Sequence, residues 1–284
     1  MMISVLHLHF KLCIINVTSN QTERNFVMKI GICGSAQRAL QGYPTQADFV
    51  EINAIQIHRM TDEVFAKLCK DVKEVGLPLY SCNCLIDGNL RLTGPEVDFD
   101  AIDAYCDRLF ERLDALNIHT LVFGSGKAKH VPEGFPMEKA WDQLYKLGAL
   151  LATKAAPHGH TIVVEPLSYN EVNIVNTMKE GAHYVKIINH DSFKLLVDFY
   201  HFDNNGEAFE DLPKYADLLK HAHFASAKER TVPKTEEDWA FFAKCVKSLK
   251  QIGYTGALSF EGSSTPEELP DMLMRMKEIE HSIL

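Results

Sequence analysis

From Lys29 onward, short apolar runs alternate with longer stretches that carry apolar residues at helical spacing. The apolar runs are KIGICG from Lys29, FVEINAIQI from Phe49, LPLYSCNCLI from Leu77 and HTLVFGSG from His119, then TIVVEP from Thr161, FKLLVDF from Phe193, HAHFAS from His221 and GALSFEG from Gly256. They are rich in β-branched residues and read as strands of a buried sheet. Between them, Thr61 to Val75 sets Val64, Leu68, Val72 and Val75 on one stripe and stops at Gly76, a residue suited to a left-handed cap. Thr235 to Ile252 carries Trp239, Phe242, Val246 and Leu249 in the same way. The last helix is expected to open at TPEE, with Thr265 as cap, Pro266 at the first helical position and Glu268 closing a capping box. The first helical stretch, Arg38 to Ala47, is weak and short.

Eight strand–helix alternations between Met28 and Leu284 predict an α/β fold, a single (β/α)8 TIM barrel. The rival is an open doubly wound sheet, but no G-x-G-x-x-G follows the first strand. Residues 1–27 stand apart. They are apolar, yet His7, His9 and Lys11 interrupt them too early for a membrane span. They also lack the basic start and small-residue cleavage site of a secretory signal. Met28 directly precedes the first strand, so the expected organisation is a dispensable extension over 1–27 and a barrel over 28–284.

Composition narrows the function classes. With 46% hydrophobic residues the chain can bury a large core. A net charge of −9 argues against nucleic acid or an anionic membrane as partner. Seven cysteines without a C-x-x-C are no disulfide framework, and the compartment expected is the cytoplasm. The same setting disfavours glycosylation at Asn16. Cys82 and Cys84, two apart on an expected strand, should face one way and serve packing.

Barrel enzymes carry their chemistry at the carboxyl ends of the strands. Glu165 ends the fifth strand here, Asp198 the sixth and Glu261 the eighth, while His223 lies on the seventh. Alternation turns Glu165 inward with Val163, and Glu261 inward with Ser259. Any one such carboxylate is more often a helix cap or half of a salt bridge. Three converging with an imidazole would repel one another unless a cation held them. Mostly oxygen donors with one imidazole suit Mn2+ first, or Mg2+ or Co2+. His221, one inward step below His223, is expected behind the ligands. Glu51 and Ser125 are candidates for the pocket lining, and Arg91 for a solvated loop above it.

The motifs VVEPLSYNEVNIVNT, LLVDFYHF, HAHFA and YTGALSFEG resemble those of the xylose-isomerase-like barrels, and within them the ketose 3-epimerases of the tagatose/psicose type. The resemblance runs from Met28 to Leu284. It implies one divalent ion on Glu165, Asp198, His223 and Glu261, with Glu165 and Glu261 as the two catalytic bases. It also implies that Glu171, His201 and Arg230 contact substrate hydroxyls. HFASAKERTVP is one residue longer before its arginine than the family pattern, and lacks the family's more acidic turn. The activity implied is a metal-dependent sugar epimerase or aldose–ketose isomerase that moves a proton beside a carbonyl through an enediolate. Its partner is then a small-molecule sugar, and a homo-oligomer is compatible with the chain. A lyase of the same barrel, acting on oxidised sugars or C-glycosides, is the second reading. An abasic-site endonuclease would need a three-metal cluster, for which His58 is the one extra ligand at the ends of the first four strands. A non-enzymatic binding barrel would have lost one of the two glutamates.

Overall fold

The computed structural model describes residues 27–283. The N-terminal segment read above, with Cys13 and Asn16, lies outside the described residues. The strands are β1 (Ile30–Gly34), β2 (Phe49–Asn53), β3 (Leu79–Asn83), β4 (Thr120–Phe123), β5 (Thr161–Val164), β6 (Phe193–Asp198), β7 (Leu219–Phe224) and β8 (Ala257–Phe260). All pair in parallel and in sequence order, and β8 returns to β1, so the sheet closes into the expected barrel. Around it run α1 (Ala36–Gly42), α2 (Ala54–Arg59), α3 (Asp62–Val75), α4 (Phe99–Ala115), α5 (Gly126–Lys129), α6 (Met137–Ala155), α7 (Met178–Ile188), α8 (Phe199–Asn204), α9 (Glu236–Gln251) and α10 (Leu269–Ser282). Among the described residues no helix is long and apolar enough to cross a membrane.

Strand alternation sorts the core into two parts. Val122, Val163 and Leu196 form a small apolar cluster inside the barrel. Their outward neighbours, such as Ile162, Val164, Leu195 and Val197, join the larger layer between sheet and helices. In α9 the stripe of Trp239, Phe242, Val246 and Leu249 is buried, and Thr235 and Asp238 close a capping box at its start.

Several elements differ from the sequence reading, each for a local reason. β2 stops at Asn53, because the Asn53 side chain accepts the Gln56 N–H at 3.0 Å and caps α2. The run AIQIH is therefore helix, and His58 stacks on Tyr105 at 3.9 Å instead of ending a strand. β3 ends before Cys84, whose φ of +53° turns the chain. Cys82 lies in the outer core while Cys84 lines the barrel mouth, so the two do not face one way. In α3, Gly76 caps the end as expected, Thr61 caps the start, and Leu68 and Val72 are buried. Val64 and Val75 are 53% and 55% exposed. α3 packs on α1, whose seven residues cover roughly 10 Å of its length.

α10 begins at Leu269 rather than at Pro266. Glu268 does reach back to the Thr265 N–H at 2.8 Å, but across a turn. A helix from Pro266 would need an N–H at position 270 to close its first bonds, and proline there has none.

Candidate active site

The carboxyl ends of β5 to β8 bring the expected ligands together. Glu165, Asp198, His223 and Glu261 each offer one donor atom, and these atoms lie within 4.8 Å of one another. Glu165 and Glu261 follow directly after their strands, held by backbone bonds to the Phe123 and Phe224 carbonyls at 3.2 and 2.9 Å. Asp198 caps α8 with one oxygen, taking the Tyr200 N–H at 2.8 Å, and turns the other into the mouth. His223 Nδ1 stands 3.4 Å from Glu165 Oε1 and 3.2 Å from Glu261 Oε2. Asn83 steadies Glu261 from β3, donating to Oε1 at 2.7 Å. Gly124 explains the glycine after β4, since a Cβ there would stand 2.1 Å from Glu165 Oε2.

One floor down, Glu51 organises the imidazoles. Its Oε1 takes His223 Nε2 at 2.9 Å. Its Oε2 takes His221 Nε2 at 2.7 Å, Ser81 Oγ at 2.6 Å and Ser259 Oγ at 2.9 Å. Burial would raise the Glu51 carboxyl, but His223 and His221 outweigh it and hold it well below the usual carboxylate range. His221 stands behind the ligands, as expected. Glu51 supports the site from below rather than lining the pocket. Its signal in the sequence is a lone carboxylate in the middle of FVEIN.

Above the ligands opens a cavity of about 570 Å³, lined in part by Cys33, Cys84, Glu171 and Arg230. Arg230 Nη1 pairs with Glu171 at 3.1 Å. Its Nη2 bonds Glu261 Oε2 at 2.8 Å and lies 3.4 Å from Asp198. Its own φ is +50°, a conformation a non-glycine residue adopts only where the surroundings impose it. Tyr200 stacks under the guanidinium at 4.9 Å. His201 is 1% exposed, with Nδ1 at Ser168 and Nε2 3.5 Å from Asp198, so it stands behind the ligands rather than in the open cavity.

The loop after β5 is tied from within. Asn176 donates to the Leu167 and Val172 carbonyls at 2.8 and 2.9 Å, on either side of Glu171. Ser125 lines the cavity while its Oγ accepts the Ile86 N–H at 3.0 Å. Arg91 binds the Lys127 and His130 carbonyls and so clamps a loop.

Lys129 escaped the sequence reading. It is 1% exposed and donates to the Glu165 backbone carbonyl at 3.1 Å. Burial, only partly offset by Glu165, brings it down to about 8. A lysine in GKAK reads as a solvated helix end, and nothing local shows it turning inward.

Burial raises the carboxyls of Glu165 and Asp198, though Arg230 works against it at Asp198. Glu261 goes the other way, because His223 and Arg230 overcome burial and bring it down to about 2. The donor set fits a divalent cation on a direct observation. Glu165 Oε1 is buried and has no hydrogen-bond partner, and a bare carboxylate oxygen among other carboxylates is costly unless a cation meets it. Three carboxylates and one imidazole are the donors of a hard to borderline ion.

The model of the xylose isomerase-like TIM barrel family matches residues 45–279. D-psicose 3-epimerase of Agrobacterium fabrum is 26% identical over 220 residues, which cover 75% of this chain and 74% of that protein. A crystal structure of D-psicose 3-epimerase in the presence of D-fructose superposes with a TM-score of 0.68 at 20% identity, covering 90% of this chain and 96% of the other. The apo form of 3-keto-D-glucoside 4-epimerase from E. coli superposes with a TM-score of 0.72 at 18% identity, covering 88% and 99%.

Proposed function

Since this chain belongs to the xylose isomerase-like TIM barrel family and is an isomerase-class enzyme, we propose that it is a divalent-metal-dependent sugar epimerase of the ketose 3-epimerase type. The observation that carries the reading is the placement of two carboxylates, Glu165 and Glu261, on either side of His223 Nδ1 at 3.4 and 3.2 Å, at the floor of a sugar-sized cavity.

A divalent cation held by Glu165, Asp198, His223 and Glu261, Mn2+ by preference, would supply Lewis-acid polarisation of a substrate carbonyl. The chain's own groups do the rest. One of the two glutamates removes the proton from the carbon beside the carbonyl, and the other returns a proton to the opposite face. Each such transfer is typically worth about 10²–10⁴-fold in rate. No atom is gained or lost, so the reaction needs no co-reactant. Arg230 and Glu171, paired at the rim, orient substrate hydroxyls from above. His201 holds Asp198 from behind, its Nε2 3.5 Å from an Asp198 oxygen. Glu51 fixes the His223 ring so that Nδ1 faces the carboxylates.

The test uses a panel of free ketoses with Mn2+ in D2O. Wild-type protein should form the epimer and take up deuterium at the inverted carbon. Glu165→Gln and Glu261→Gln should each abolish epimer formation. Epimer without deuterium, or full activity in Glu261→Gln, would remove the two-base mechanism. Elimination products in place of an epimer would assign the site to a lyase.

A further inference from the structure

At the opposite end of the barrel a second group of metal-type ligands gathers where α4 ends and β5 begins. Asp114 comes from the last turn of α4, His158 from the 3-10 turn Ala156–His158, and His160 from the residue just before β5. Their donor atoms also lie within 4.8 Å of one another. His158 Nδ1 meets one Asp114 oxygen at 2.5 Å, and His160 Nε2 stands 3.4 Å from the other. Gly159, at φ +67°, turns the chain between the histidines, and their rings stack at 5.3 Å with 12° between the planes.

His160 is the informative member. It is 1% exposed, and neither ring nitrogen has a well-aligned hydrogen-bond partner, the Phe110 carbonyl being its nearest backbone acceptor. Phe110 closes one side of it edge-on, with the ring centroids 5.2 Å apart. A buried imidazole so poorly partnered is costly, since buried polar groups are normally satisfied. The side chains of Asp114 and His158 are 40% and 27% exposed, so the carboxylate side is open to solvent.

We propose that Asp114, His158 and His160 form a second metal site, separate from the active centre, that takes a borderline transition ion such as Zn2+. Two imidazoles and one carboxylate are its usual donors, whereas Mg2+ and Ca2+ call for oxygen alone. Tetrahedral ligands at ~2.0–2.1 Å from zinc lie roughly 3.3 Å apart. The His160–Asp114 separation of 3.4 Å already matches that spacing. The 2.5 Å His158–Asp114 contact shares a proton that the ion would displace. Solvent completes the fourth position on the open side. Bound there, the ion ties the end of α4 to the start of β5 and adds to stability by mass action.

The experiment titrates the full chain with ZnCl2 by calorimetry and counts bound zinc by elemental analysis. To separate the two centres, the titration is repeated in Asp198→Asn, which weakens the active-site ligand set. Zinc binding should persist in Asp198→Asn and disappear when His158→Ala or Asp114→Asn is added. Thermal melts in the Asp198→Asn background should rise with zinc, and should not do so in the double variants. In the otherwise wild-type chain, His158→Ala and Asp114→Asn should each lose one equivalent of zinc and keep Mn2+-supported turnover. Zinc uptake unchanged by both substitutions, or abolished by Asp198→Asn alone, would overturn the second site. Neither result depends on which reaction the active site performs.

Discussion

At the scale of single residues, Glu51 decides how His223 is presented. It is fully buried and its two oxygens serve both histidines and two serines. Glu51→Gln keeps the volume but brings an amide that cannot accept on both sides. The His223 ring then loses its fixed orientation. The expected outcome is a metal affinity lower by about 10–100-fold, the usual cost of losing a partner behind a metal-bound histidine. Mn2+ titration of the apo-protein measures it, and Ser259→Ala serves as a control that removes one contact of the same network. An unchanged affinity in Glu51→Gln would mean that packing alone orients the ring. The substitution is also expected to lower stability, because His221 and the serines lose a shared acceptor.

At the scale of elements, the start of α7 carries an ionisable group whose state matters to folding. Thr177 and Glu180 form a capping box there, and Glu207 accepts the Met178 N–H at 2.9 Å. Burial raises the Glu207 carboxyl to about 7, with the Met178 N–H opposing it. The sign follows from proton binding. Between the ordinary carboxylate range and about pH 7 the folded chain holds a proton here that the unfolded chain has lost. This group's contribution to stability is therefore complete below pH ~4.5 and is lost as pH rises through 7. Glu207→Gln removes the titration and keeps an oxygen to accept the Met178 N–H. Its melting temperature should fall less than that of the wild type when the pH is raised from ~5 to ~8. Parallel melting curves for the two proteins would show that Glu207 titrates as it does in water.

At the scale of the whole molecule, closure of the barrel brings its two ends together. Met28 is 4% exposed, and its backbone N–H binds Glu280 of α10 at 3.1 Å. Lys250 of α9 meets the same carboxylate at 3.1 Å. β1 pairs with β8 from Ile30 onward. Among the described residues, the contacts that close the sheet thus begin at residue 28. A protein starting at Met28 is expected to fold cooperatively and to melt within ~2 °C of the full chain, a difference below about 1 kcal/mol for a domain this size. A large loss of stability, measured by thermal unfolding, would show that residues 1–27 contribute to the barrel.

The sequence by itself determined the barrel and the convergence of Glu165, Asp198, His223 and Glu261 at its mouth. Both depend on short-range rules. Strand alternation turns Val163 and Glu165 to one face, and a carboxylate at the end of a buried strand is too costly to stand there without a partner. The cap at Gly76 was readable for the same reason. Where a turn competes with a strand, the outcome depends on one side chain, as when Asn53 converts AIQIH into a helix. Only the tertiary structure decided the rest. Glu51 and His223 are 172 residues apart, and Asn83 and Glu261 are 178 apart. Lys129 turns inward to the carbonyl of Glu165 just past β5, and His201 settles behind Asp198 instead of in the cavity. The grouping of Asp114 with His158 and His160 likewise exists only once the end of α4 meets the turn before β5. Such partners share no spacing along the chain, because a parallel barrel sets neighbours by strand register and closure rather than by sequence distance.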